Sequence, residues 1–267
     1  MLSVVLATYN EEKNIQGCLE SVKDFADEII VLDGSSQDRT REIAKKLGAK
    51  VFKTTNKLNF HINKQIVMNK AKGDLVLQLD ADEVVDTELK KFIIKTHKNL
   101  LFLKKSSNKA DFSSIPKAWW IKRKNLFLNK WLKKGGQYPD PVIRLYVNGY
   151  ARLPQKDVHE QMIVNGQVAW AEGHLLHYSN PEFSNYLKKF NHYTSLKAKQ
   201  LKAAKTKISF SNSFKYLVWK PGFTFLNIFI RHKGFVDGVA GFTFAFFSAL
   251  HHSIAYLKLW ELYESTN

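Results

Sequence analysis

The 267-residue sequence holds one cysteine, Cys18, which excludes an internal disulfide and makes a reducing compartment the expectation. Acidic side chains are scarce beside basic ones, 24 against 41, and the formal net charge of +17 implies an anionic partner. Nucleic acid, an acidic membrane surface and a phosphorylated substrate all satisfy that charge. No uninterrupted apolar run reaches the roughly 18 residues of a spanning helix. The nearest candidate is Gly238 to Leu250, bounded by Asp237 and by His251 and His252. No basic segment or cleavage site accompanies the first apolar run, so no signal peptide is expected. A recognised nucleic-acid motif, a Gly-rich basic phosphate loop and internal repeats are also missing.

What is present begins with 45% hydrophobic residues, enough for one large core or a core plus an appendage. Ser3 to Ala7, Glu28 to Leu32, Lys50 to Lys53 and Leu75 to Leu79 are short strand-like runs. Between and after them, Glu11 to Val22, Asp38 to Leu47, Ile62 to Ala71 and Asp86 to Lys95 repeat at helical spacing. Asn10 is placed as the cap of the first helix, and Gly48 closes the second. This alternation predicts an α/β fold with a mostly parallel sheet covered on both faces. From about Phe112 the pattern changes. Val142 to Tyr146 and Gln161 to Val164 read as strands, and Phe183 to Lys205, Ser213 to Ile230 and Val236 to Leu262 as helices. The expected organisation is a nucleotide-type α/β half over 1–110, a mixed half over 111–180 and a helical extension over 181–267.

In sheets of this kind ligands sit at the carboxyl ends of strands. The polar clusters fall there: Thr8-Tyr9-Asn10-Glu11, Asp33-Gly34-Ser35, and Asp80-Ala81-Asp82-Glu83. Side chains two apart on an extended chain point the same way, so Asp80 and Asp82 would repel unless a hard divalent ion lay between them. The bland alternative is a solvated acidic start to the helix at Asp86. Asp33 is either a partner for a nucleobase or ribose, or simple Asp-Gly turn chemistry.

These segments carry a resemblance. Val4 to Glu12, Val31 to Thr40 and Leu79 to Glu83 resemble the corresponding motifs of family 2 glycosyltransferases. Tyr138-Pro139-Asp140 with Arg144-Leu145-Tyr146, then Val158-His159-Glu160 and His177-Tyr178, are similar to a bacterial subfamily that includes lipopolysaccharide-core β-1,4-glucosyltransferases. The resemblance implies a GT-A fold, a nucleotide-sugar donor such as UDP-glucose, a Mg²⁺ or Mn²⁺ cofactor and inversion at the anomeric carbon. It implies that Thr8, Tyr9, Glu11 and Asp33 hold the nucleoside, that Asp80 serves the ribose and metal, and that Asp82 and His177 hold the metal. On residues alone, His177 is equally readable as a satisfied core histidine.

An inverting transfer needs a base for the acceptor hydroxyl. Asp140, in its Gly-rich loop, and Glu160, after His159, are the candidates, with Glu160 slightly preferred. Trp119, Trp120 and Trp131 among lysines suit an anionic membrane, sugar rings or a partly buried strand. The Phe-rich C-terminus suits core packing or lipid docking. The expected enzyme is therefore peripheral on the cytoplasmic face of a membrane, acting on a lipid-linked or glycan acceptor with no nucleic-acid partner. The alternatives are a polyprenyl-phosphate sugar synthase, which needs no protein base, a nucleotidyltransferase, and a non-catalytic basic nucleic-acid module.

Overall fold

A computed structural model describes residues 1–57, 59–105, 112, 114–154 and 161–265. The chain divides into two compact units: Met1–Arg123 with Pro141–His177, and Lys124–Asp140 with Tyr178–Asn267.

The first unit is built on strands whose apolar runs admit no exposed face. β1 (Leu2–Thr8), β2 (Glu28–Asp33) and β4 (Leu75–Leu79) are buried almost throughout. β3 (Lys50–Lys53), more exposed, lies at the edge. The order β3-β2-β1-β4 is parallel at every pairing, with Val4 beside Ile29 and Leu77. Parallel neighbours require crossovers, and the helices between them supply these. Even-numbered Leu2, Val4 and Leu6 pack on one face with Ile15, Cys18 and Leu19 of α1 (Ile15–Glu20) and with Leu89 and Ile93 of α4 (Thr87–Lys105). Val5 points to the other face, against Val67 and Met68 of α3 (Phe60–Met68). This period-two split is the pleat read directly from sequence. α2 (Thr40–Lys46) completes the helices of this half.

Beyond β4 the sheet is mixed rather than wholly parallel. β8 (Asp140–Val147) pairs with β4, setting Leu77 against Leu145, and the order continues β8-β6-β11-β5. Here β5 is Glu83–Val85, β6 is Ala118–Phe127 and β11 is Val168–Asn180. β11 pairs antiparallel with β5, placing His177 beside Glu83. A short hairpin strand, β7 (Lys130–Trp131), joins β6, and β9 (Ala151–Arg152) pairs with β10 (Ile163–Val164).

The second unit holds α5 (Phe183–Ala203), the helical run Phe210–Arg231 and α8 (Gly238–Glu264). The run Phe210–Arg231 contains α6 (Phe210–Phe214) and α7 (Lys220–Leu226), each followed by a π-helical turn. Tyr216 stacks on Tyr256 at 5.1 Å, and Phe225 and Phe229 both meet Phe242, so the run lies antiparallel along α8.

Several expectations are revised. The first helix begins at Ile15, not Glu11, because Asn10 adopts φ +55° and its side chain accepts from the Gln37 amide instead of capping. Strands β5 and β11 fall in segments read as an acidic tail and as unassigned sequence. His251 and His252 lie inside α8 rather than bounding it. The helical stretch Gly234–Glu264, of mean hydropathy 1.2, is long and apolar enough to cross a membrane by length and composition.

Candidate functional site

The carboxyl ends of β1 and β2 meet through Asp33, whose side chain is fully buried. The Ser36 amide and hydroxyl donate to its two oxygens at 2.9 and 2.5 Å, and Thr8 Oγ1 lies 3.5 Å away. Arg41 approaches Asp33 Oδ1 at 3.5 Å. The loop after β1 is fastened to the same place, since the Asn10 amide donates to Ser36 and the Glu11 amide to Thr40. Thr8, Glu11 and Asp33 are thus brought to one rim, with Tyr9 half exposed beside them. Neither Ser36 nor Arg41 was singled out from sequence, although a buried Asp requires such partners.

At the end of β4 the chain does not stay extended. Asp80-Ala81-Asp82 forms a turn, closed by the Glu83 amide donating to the Asp80 carbonyl at 3.0 Å. The expectation that Asp80 and Asp82 project together as a repelling pair is therefore corrected. Asp80 is neutralised by the protein. Lys64 Nζ of α3 lies 2.5 Å from Oδ1, and Arg144 of β8 donates to Oδ2. Arg144 also reaches Glu83 Oε1 at 3.0 Å and Gln78 Oε1 at 2.5 Å, and Arg123 adds a second cation on Glu83 at 3.2 Å.

Burial works against charge at Asp80, but Arg144 and Lys64 outweigh it and hold the carboxyl far below its ordinary range. Burial likewise pushes the Lys64 ammonium down, although Asp80 pulls it the other way. At Arg144 the neighbouring carboxylates overcome the cost of burial and raise the guanidinium further. Burial, then Glu83, Asp82 and Asp80, pushes the Cys18 thiol well up, so it is no nucleophile. A signal for this network exists in the sequence: Gln78 and Arg144 are lone polar residues inside apolar strands, and buried polar groups need partners.

Asp82 points elsewhere. Its Oδ2 lies 3.3 Å from His177 Nε2, and both side chains are about one-fifth exposed, 21% and 18%. The histidine arrives on β11 through its pairing with β5. Among the described residues no group of three or more His, Cys, Asp and Glu side chains is arranged to hold a metal ion. A two-donor pair still fits a hard divalent cation, which commonly keeps waters and takes its remaining oxygens from substrate phosphates.

Asp140 belongs to the second unit. Asn125 Nδ2 donates to its Oδ2 at 3.0 Å and to the Gln137 carbonyl at 3.2 Å. The loop leading to it is held by Asp237, which is 1% exposed and accepts from the Lys133 and Lys134 amides. Lys130 Nζ donates to the Asp237 carbonyl at 2.9 Å. Neither Asn125 nor Asp237 was expected as a support. The other base candidate, Glu160, lies outside the described residues, as do Val158 and His159.

Comparison with known proteins places the chain in a family. The family model for glycosyl transferase family 2 matches residues 3–149, which contain Thr8, Asp33, Asp80 and Asp82. An uncharacterized glycosyltransferase of Rickettsia typhi is 28% identical, covering 98% of this chain and 87% of that protein. The lipopolysaccharide core biosynthesis glycosyltransferase LpsC of Rhizobium meliloti is 26% identical over 93% of this chain and 90% of its own. Among solved structures, S. aureus TarS 1-349 aligns with a TM-score of 0.44 at 17% identity, covering 97% and 87% of the two chains. A glucosyl-3-phosphoglycerate synthase from Mycobacterium tuberculosis, solved with Mn²⁺ and UDP, aligns at 0.44 and 17%, covering 78% and 81%. With its parallel β3-β2-β1-β4 core and polar strand ends, the chain is a glycosyltransferase and belongs to glycosyl transferase family 2.

Proposed function

We propose that this enzyme is an inverting, metal-dependent transferase that takes glucose from UDP-glucose. Its acceptor is a lipid-linked or lipopolysaccharide-core glycan at the cytoplasmic face of a membrane. The observation that carries the donor side is the Asp82–His177 pair standing next to an Asp80 that already has its counter-charges. The two roles are thereby separated. Thr8, Tyr9, Glu11 and Asp33 border the nucleoside, Asp80 offers a fixed carboxylate to the ribose, and Asp82 with His177 would hold Mg²⁺ or Mn²⁺. Such an ion, when bound, supplies positive charge to the departing diphosphate.

In the transfer itself the acceptor oxygen forms its bond to the anomeric carbon as the bond to the diphosphate oxygen breaks. The acceptor proton passes to a carboxylate, Asp140 or Glu160. The Asn125 hydrogen bond favours Asp140, because it fixes the orientation of that side chain. The relationship to LpsC supports a cell-envelope glycan as acceptor. Residues 1–110 then serve the donor, 111–180 the acceptor and 181–267 the membrane side.

A panel of nucleotide sugars, assayed with Mn²⁺ and with chelator, tests the reading. UDP-glucose should be consumed only with the ion, and should release inverted product on a glycan acceptor. Equal turnover in chelator would overturn the metal role. Activity that survives loss of both Asp140 and Glu160 would favour a polyprenyl phosphate acceptor, which is already a nucleophile.

A further inference from the structure

We infer that the second unit carries a bilayer-docking face, formed by Phe210–Arg231 and α8, whose partner is an anionic lipid surface. The inference extends the membrane-side reading above by naming the surface, and its test uses no sugar transfer, so either can fail alone.

The inward side of the helical run is accounted for: Tyr216, Phe225 and Phe229 pack on Tyr256 and Phe242 of α8. Its outward side is not. Phe210 is 90% exposed and Trp219 64%. Phe223, Leu226 and Ile230 continue from Trp219 at steps of three and four residues, each more than half exposed, which is one stripe of a helix. Val239, 80% exposed, adds an apolar side chain from α8. An apolar surface of this length is uncommon on a monomer and marks an interaction site.

Charge selects the occupant. From Phe183 to Glu264 there are twelve lysines and arginines against three acidic residues. Lys207 and Lys215 near the start of the run, and Arg231, His232 and Lys233 at its end, are exposed. An apolar stripe with cations at both ends matches a bilayer interface, acyl chains below and lipid phosphates beside them. A second copy of this chain would bring the same cations against each other.

The face lies on the membrane; α8 does not cross it. α8 is packed beside α5, with Phe247 against Phe190 and Lys258 Nζ donating to Asn191 and Thr194. The outward side of α5 carries exposed Lys188, Lys189, Lys197 and Lys199, which a crossing would drag into hydrocarbon.

The experiment is co-sedimentation of the full chain with vesicles of phosphatidylcholine alone or mixed with phosphatidylglycerol, at low and high salt. The mixed vesicles should bind at least about tenfold more tightly, with affinity falling as salt rises. The triple variant Trp219→Ser/Phe223→Ser/Ile230→Ser should lower that affinity by about tenfold or more while leaving UDP binding unchanged. Arg231→Glu/Lys233→Glu, at two exposed positions, should weaken binding to the mixed vesicles only. The inference is overturned if the parent chain does not sediment with anionic vesicles, or if both variants sediment like the parent. It is also overturned if the triple variant merely converts a dimer to a monomer without changing lipid binding.

Discussion

Asp82 Oδ2 and His177 Nε2 stand 3.3 Å apart, brought together by the pairing of β5 with β11 across more than ninety residues of sequence. If this pair is the metal site, Asp82→Ala and His177→Ala should each lower kcat by about 10²-fold or more, the usual cost of removing charge stabilisation in a transition state. Mn²⁺ binding followed by electron paramagnetic resonance should weaken in parallel. Unchanged Mn²⁺ affinity in both variants would remove the pair from that role.

Arg144 offers a test of stability. Its side chain is 9% exposed and serves Asp80, Glu83 and Gln78 together. Arg144→Met strands buried carboxylates and should cost about 3–5 kcal/mol, measured by urea unfolding. Adding Glu83→Gln should recover part of that loss, because one uncompensated charge is then gone.

The acid limb of stability should depend on Asp74. Hydrogen bonds from Lys104 and the N-terminal amine lower its pKa from 3.8 to about 2. A carboxyl depressed on folding contributes stability that is complete above its unfolded pKa and is lost as pH falls through the folded one. Unfolding free energy should therefore drop between about pH 4 and about pH 2, and Asp74→Asn should flatten that limb while leaving its slope above pH 5 unchanged.

The base can be assigned by comparing two conservative replacements. Asp140→Asn should lower kcat by about 10²–10⁴-fold with little change in the KM for donor, and Glu160→Gln should do far less. Asn125→Ala should produce a smaller loss and move the pH–rate profile, because it frees the Asp140 side chain without removing it. The reverse ranking of Asp140→Asn and Glu160→Gln would give the role to Glu160.

Much of the first unit was legible because its strands are buried on both faces. Leu75 to Leu79, buried at every position, has the boundaries its composition suggests. The site was legible as positions but not as chemistry. Asp80 and Asp82 mark the right turn, yet a spacing of two residues cannot tell an extended chain from a turn, and only the turn sends one carboxylate to Lys64 and the other to His177. Lys64 was hidden because a cation that neutralises a buried acid looks, in one sequence, like any surface lysine, whereas Arg144 stands out as a lone polar residue in an apolar strand. β11 was obscured because its burial follows no clean alternation. The apolar run of α8 was read as too short because His251 and His252, which sit partly buried within it, look like ends.

The late arrival of β11 has a consequence for how the protein can be divided. Every residue assigned to the nucleoside precedes Asp82, whereas the imidazole that meets Asp82 enters only with a strand near the end of the first unit. On the proposed roles, the nucleoside residues and the completed Asp82–His177 pair come from separate stretches of the gene. A fragment pair cut in the segment between β8 and β11 would leave the proposed nucleoside residues on one piece, and the Asp82–His177 pair would form only when the second piece lays β11 between β6 and β5.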